Sequence, residues 1–213
     1  MEAAEYQPLT GNALTTANYQ EYFLQGSILE AECSKLLDRL QGLCDNVPRE
    51  QFTDHERTFV IKNPNSSAVM VKACKAFQKA DVPWQMKYIG TTEAGDRSKS
   101  SLIRSCVTVA VSKDPTQFLE ELGFKLQHEI VAKGYFFRKG RIKITVSKLH
   151  RLSSAQEPSK LDVISQSHLV EVCVLAPVGQ ERAGEEVRQF CEHLKPLIVF
   201  DVDHRKIHQM ATS

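Results

Sequence analysis

Hydrophobic positions along this chain recur mostly at every second residue, most clearly between residues 123 and 151. Phe124, Leu126, His128, Ile130 and Ala132 fall on one face of a first run. Tyr135-Phe136-Phe137 makes a short aromatic run, and Ile142, Ile144 and Val146 then alternate with Arg141, Lys143, Thr145 and Ser147. Such period-two alternation marks strands. Lys133-Gly134 and Lys139-Gly140 separate the runs, and glycine accepts the positive φ of a tight hairpin. The stretch is therefore expected to be a three-stranded antiparallel meander, with sheet continuing on both sides.

Elsewhere the pattern predicts further strands and three helices. Tyr22-Phe23-Leu24 suits a first strand. Ser27-Ile28-Leu29-Glu30 matches a capping box, and the helix expected after it carries Cys33, Leu36, Leu37, Leu40, Leu43 and Cys44 on one stripe up to the break at Asp45-Asn46-Val47-Pro48. Strands are predicted over residues 52–62, 68–77, 84–89 and 102–112, with a turn at 63–67 and a polar loop at 90–100. Trp84, Met86 and Tyr88 share a face, as do Ile103, Val107, Val109 and Val111. Asp114-Pro115-Thr116-Gln117 announces a short helix with apolar Phe118, Leu119 and Leu122, closed by Gly123 as a left-handed cap. Residues 153–167 read as a mobile polar loop, and 168–176 as a strand with Val170, Val172 and Val174 inward. Residues 181–195 read as a helix burying Ala183, Val187, Phe190, Cys191 and Leu194, and Leu197 to Val202 as a last strand. Eight or nine strands at hairpin spacing predict a mainly β (α+β) fold, a many-stranded antiparallel closed barrel with a few flanking helices. The expected layout is a disordered tail over 1–17, a single β-barrel domain over 18–203 and a polar tail over 204–213.

Composition narrows the function. The chain has 213 residues, 42% hydrophobic and 25% charged, with a net charge of +1, so no global field draws it to nucleic acid or anionic membrane. Charge is uneven, however: Lys125, Lys133, Arg138, Lys139, Arg141, Lys143, Lys148 and Arg151 face a single acid, Glu129, within 123–151. That face either meets a phosphate-bearing ligand or is a solvated, lysine-guarded surface. Six cysteines without a CxxC pair are expected to be buried free thiols in a reducing compartment. No signal peptide and no apolar run long enough for a membrane span are visible, so the expected setting is soluble and intracellular, in cytosol or nucleus.

Candidate chemistry is sparse. Asp201, Asp203, His204 and His208 are a tight group of metal-ligand types, but at a chain end a polar tail is the default. On strands, His128 and Glu129 point to opposite faces, as do His55 and Glu56, so neither pair works as a unit. No Gly-x-Ser-x-Gly elbow, dinucleotide fingerprint or phosphate-binding loop is present. No catalytic, metal-binding or cofactor-binding residue is assigned. Tyr135-Phe136-Phe137 would make its strand apolar on both faces, and both must then be covered. One cover is the domain core and the other is a helix of the same chain or a partner. Tyr135 and Phe136 are accordingly the candidate partner-binding residues.

In order along the chain, the segments Glu21 to Ser27, Arg39 to Asn46, Asp54-His55-Glu56, Pro83-Trp84, Gly123-Phe124, His128 to Gly134, Phe137 to Gly140, Leu169-Val170-Glu171, Ala176-Pro177 with Gly179-Gln180, and Leu194 to Leu197 resemble the Mediator complex subunit 18 family. The resemblance runs from about Tyr19 to Leu197 and leaves both ends uncovered. It implies a barrel similar to triphosphate tunnel enzymes and RNA triphosphatases, but a non-enzymatic role in the head module of the RNA polymerase II coactivator. It further implies pairing with a second barrel, Mediator subunit 20, tethering by a C-terminal helical segment of Mediator subunit 8, contact with polymerase and transcription factors, and a nuclear location.

That kinship raises one alternative, a triphosphate tunnel phosphohydrolase. Such enzymes hold a divalent metal with glutamates two apart on a strand. Here the first strand has only Glu21, the pair Glu30 and Glu32 opens a helix, and the strand over 168–176 has only Glu171. Without paired carboxylates, metal-activated water is not expected. A nucleic-acid-binding barrel using the basic 123–151 stretch is the other alternative, and it predicts a steep salt dependence.

Overall fold

In the computed structural model, residues 19–62, 68–79, 81–90, 92, 100–152 and 161–200 are described. The first element, β1 (Tyr19–Leu29), runs straight into α1 (Glu30–Leu43). The expected capping box does not form: Ser27 lies inside β1 opposite Leu169, Leu29 is the cap residue, and no side chain caps the helix. Glu30 reaches Lys148 of a neighbouring strand instead of turning back. The helix stripe is as expected, with Cys33, Leu36, Leu37 and Leu40 buried.

Four strands follow: β2 (Glu50–Ile61), β3 (Val69–Ala76), β4 (Trp84–Ile89) and β5 (Leu102–Val111). The turn expected at 63–67 and most of the 90–100 loop lie outside the described residues. In α2 (Thr116–Glu121), the Asp114 carboxylate accepts the Thr116 backbone N–H at 2.9 Å. Gln117 does not complete the box but donates forward to Glu121. Only Leu119 of the three expected apolar residues is buried, while Phe118 and Leu122 are exposed. Gly123, at φ +91°, ends the helix as expected.

The central stretch holds two strands, not three. β6 (Lys125–Lys139) runs unbroken through Lys133-Gly134 and turns only at Gly140, φ +55°, into β7 (Ile142–Leu152). Gly134 serves close approach instead of a turn: a Cβ there would stand 2.0 Å from the Val146 carbonyl oxygen of β7. The face assignment is also interrupted. Thr58 pairs with His128 but Phe59 pairs with Leu126, so Gln127 is an extra residue. This bulge puts Leu126 and His128 on opposite sides of the sheet.

The expected loop at 153–167 contains a short strand, β8 (Leu161–Val163), hydrogen-bonded to the end of β7; residues 153–160 are outside the described set. β9 (Ser167–Pro177) and α3 (Glu181–Glu192) complete the elements. Residues 198–200 are not a strand; Ile198 is buried against Gly26, where a Cβ would meet its Cγ2 at 2.7 Å. Every pairing is antiparallel, in the order β6-β2-β3-β4-β5-β1-β9-β7, and β7 closes on β6 to make an eight-stranded barrel with β8 appended.

The principal core lies outside this barrel. Tyr22, Leu24 and Ile28 of β1, Val170, Val172 and Val174 of β9, and Ile144 and Val146 of β7 are buried beneath α1 and α3. A smaller cluster, Phe59, Val71, Ala73 and Trp84, is covered by Leu119 of α2. Period-two strands bury one face, and here the helices cover that face from outside.

Candidate functional site

Residues that alternate with this outer core face the barrel lumen. Directly paired residues share a face, so the register carries that lumen face from Glu21 to Arg104 on β5 and from Gln25 to Glu171 on β9. Glu21 is 6% exposed. Its carboxylate accepts from Arg104 Nε at 2.5 Å and from Lys87 Nζ at 2.8 Å. Glu171 accepts from Gln25 Nε2 at 2.5 Å and lies 3.9 Å from Arg104. Further round, Lys72 pairs with Glu56 at 2.6 Å. Burial raises the Glu21 carboxyl, but Arg104 and Lys87 outweigh it and hold the group below the ordinary carboxylate range. Burial likewise opposes the charge on Arg104 and Lys87, and Glu21 restores it.

Glu21, Glu171 and Cys173 offer ligand atoms within 4.8 Å of one another. Burial, with Glu171 and Glu21 beside it, pushes the Cys173 thiol up to about 12, far from thiolate. Glu21 is already matched by two cations, and the inward positions two and four residues further along β1 are Phe23 and Gln25. A divalent ion would have to displace Arg104 and Lys87, so the residues present do not fit the metal chemistry of a tunnel hydrolase. Local sequence gave no sign of this cluster, since Lys87 and Arg104 stand 66 and 83 residues from Glu21. Only barrel closure brings them together.

The histidines divide as the alternation requires. His128 faces the lumen, not an apolar core face as expected, and burial and Lys72 lower its pKa. His55 and Glu129, on the outside, meet across β2 and β6 at 2.6 Å. Arg57 joins Glu129 at 2.8 Å, Asp114 at 2.7 Å and the Thr116 hydroxyl at 3.0 Å, with its guanidinium over the Trp84 ring. This network fastens the start of α2 to the barrel. Asp201, Asp203, His204 and His208 lie outside the described residues.

Tyr135 and Phe136 do point to opposite faces. Tyr135 is half-buried against the outer core with Arg49 over its ring, 5.2 Å from the centroid. Phe136 faces the lumen between Arg138 and Lys143, whose charges sit 4.9 and 5.3 Å from its ring centre. Among the other basic residues of this stretch, Arg141 pairs with Glu186 and Lys148 with Glu30. All six cysteines are free; Cys33, Cys106, Cys173 and Cys191 are buried, and Cys44 and Cys74 half-buried. The helices leave one stretch of barrel wall bare: Tyr88 of β4 and Val107 and Val109 of β5 are 41%, 59% and 47% exposed.

The sequence model of the Med18 protein family matches residues 20–207. A zebrafish (Danio rerio) protein named Mediator of RNA polymerase II transcription subunit 18 is 44% identical over 191 residues, covering 90% of each chain. Among solved structures, one from the Schizosaccharomyces pombe Mediator head module superposes with a TM-score of 0.68 at 14% identity, over 85% of this chain and 97% of that one. The mimivirus capping enzyme triphosphatase superposes with a TM-score of 0.54 at 9% identity, over 84% and 90% of the two chains. At these identities the superpositions establish a shared barrel fold.

Proposed function

Because the chain belongs to the Mediator subunit 18 family, we propose that it is a non-catalytic subunit of the Mediator head module. In this reading it pairs with a second barrel, Mediator subunit 20, is tethered by the C-terminal helical segment of Mediator subunit 8, and helps link regulators to RNA polymerase II in the nucleus. The observation that carries the reading is the 44% identity along 90% of both chains. The lumen supports it, because Glu21 is held by Lys87 and Arg104 and Glu56 by Lys72, so neither carboxylate is free for a metal. The chain is a transcription subunit, not an enzyme.

Affinity purification of the tagged chain from nuclear extract tests this reading. Recovery of head subunits in near-equal amounts is expected; a clean chain without them would overturn it. Tyr135 and Phe136 remain the proposed aromatic contact, and the Tyr135→Ala, Phe136→Ala double variant examines it. Weaker pairing at an unchanged melting temperature assigns them to the partner. A lowered melting temperature assigns them to this chain's own packing.

A further inference from the structure

At the barrel end where β2 finishes and β6 starts lies a cleft of about 350 Å³. Val60, Ile61 and Leu126 give it an apolar lining, and Lys62 and Lys125 bring charge to it. The bulge at Gln127 turns Leu126 to the outside of the barrel, where it stays 44% exposed. Gly123 lines the cleft as well and follows Leu122 directly. Leu122 and Phe118, one turn apart at α2, are 54% and 55% exposed, so an apolar stripe faces solvent beside the cleft. Both lysines are exposed. Among the described residues neither is in an ion pair, whereas Lys72, Lys87 and Lys148 each hold a glutamate.

The chain's own neighbouring residues do not match this chemistry. Asn63-Pro64-Asn65-Ser66-Ser67, which follow Lys62 outside the described set, contain no acid and, proline aside, no apolar side chain. Residues 93–99 and 153–160, also outside that set, contain no leucine, isoleucine, valine, methionine or aromatic residue. The two ends of the described fold are remote from the cleft. Tyr19 starts β1 and Phe200 lies against Gly26 of β1, and β1 is four strands round the eight-stranded barrel from β2. None of the described residues lining the cleft is aromatic, so a nucleic-acid base has no ring to stack on.

We propose that this cleft binds a peptide segment of another protein in which acidic residues flank leucine- or phenylalanine-type side chains. The apolar side chains would enter beside Val60, Ile61 and Leu126, where their burial is favourable, and the carboxylates would meet Lys62 and Lys125. The volume lies near the lower end of the ~300–1,000 Å³ range of ligand sites, which suits a few side chains of a peptide. Exposed charge pairs add little affinity but select among partners. The apolar anchors therefore carry most of the binding, and the lysines decide which apolar segments are accepted. The inference goes beyond the head-subunit reading and does not depend on it, since the cleft belongs to this chain alone.

Fluorescence anisotropy of a labelled synthetic peptide, in which aspartates alternate with leucine and phenylalanine, titrated with the full chain, tests it. Saturable binding is expected, weakened at least about tenfold when asparagine replaces the aspartates or alanine replaces the leucine and phenylalanine. Lys62→Glu with Lys125→Glu should also weaken it at least about tenfold, because each contact becomes repulsive. Leu126→Ser should weaken it by removing apolar lining, and Lys62→Arg with Lys125→Arg should bind as wild type. All these variants should melt at an unchanged temperature, since the three side chains are exposed. No saturable binding up to about 1 mM, whether because the chain's own residues fill the cleft or because nothing fits it, overturns the proposal. So does binding that the Lys62→Glu, Lys125→Glu pair leaves unchanged, which places the peptide elsewhere. So does a single-stranded oligonucleotide that binds more tightly than the peptide and is lost in the same variant, which assigns the lysines to phosphate. A chain that joins the head module but fails these titrations loses this inference alone, and one that binds the peptide but joins no head module loses only the head reading.

Discussion

On one side of β1, Tyr22, Leu24 and Ile28 meet α1 and α3 in a dry apolar layer; on the other, Glu21 and Gln25 face a lumen held by ion pairs. Both layers are buried, but for different physical reasons. Apolar burial is favourable in itself. Burying charges costs solvation that their attraction only roughly offsets. The outer layer thus holds the fold together, while the lumen fixes which strands stand opposite one another. A barrel with its core outside is free to change what its lumen does, since lumen charges that are matched to one another contribute little net stability and can be exchanged as a set. That freedom accounts for one fold serving both a capping triphosphatase and a family of transcription subunits.

The largest break should come from unbalancing the lumen. Glu21→Ala leaves Arg104 and Lys87 without their shared anion and should cost about 4 kcal/mol in urea unfolding. Replacing Glu21 and Arg104 together by leucine and methionine should recover part of that loss, since the pair itself contributes little net stability while Lys87 still lacks its anion. If the double variant is as unstable as the single one, the lumen carries more of the stability than this comparison allows. Leu40→Ala, in the fully buried stripe of α1, should cost about 3 kcal/mol, and no second substitution in the lumen should rescue it. Arg57→Ala releases α2 from Glu129 and Asp114 and should cost about 1–2 kcal/mol, discounted for partial exposure. Arg141→Ala, which breaks the exposed pair with Glu186, should change stability by at most about 1 kcal/mol.

Acid titration separates the same regions. Glu21, Glu129 and Asp114 are all lowered in the folded state from ordinary values of 4.5, 4.5 and 3.8. Burial opposes each charge, and the neighbouring cations and hydrogen bonds prevail. A lowered carboxylate contributes stability that is complete above its unfolded pKa and is lost as pH falls through its folded one. Stability should therefore decline from about pH 4.5 downward, and Arg57→Ala should flatten part of that limb. Asp54, raised by burial, acts in the opposite sense. Among the described residues the apolar layer contains no buried carboxylate, so Leu40→Ala should lower the whole curve without changing its shape.

Much of the architecture was legible because alternation is local. The stripe of α1, the valines of β9 and the pairing of Trp84, Met86 and Tyr88 on one face each follow from a handful of consecutive residues. Ser27 misled because a capping motif competes with eleven cross-strand pairs to β9, and the ladder wins. Gly134 misled because a glycine required for close approach has the same appearance in sequence as one required for a turn. The lumen cluster was the least legible feature: its members come from β1, β4, β5 and β9, and each alone is an ordinary strand charge.

By itself, then, the sequence determined the alternating strands, the apolar stripes of α1 and α3, the single glutamate on β1 and, through ordered similarity, the family. These are properties of neighbouring residues or of the order of motifs along the chain. Only the tertiary structure decided that the alternate faces become an outer core and a charged lumen, and that Glu21 meets Arg104 and Lys87. Each of those depends on register and closure, in which residues tens of positions apart are set opposite one another by hydrogen bonds that no local pattern encodes.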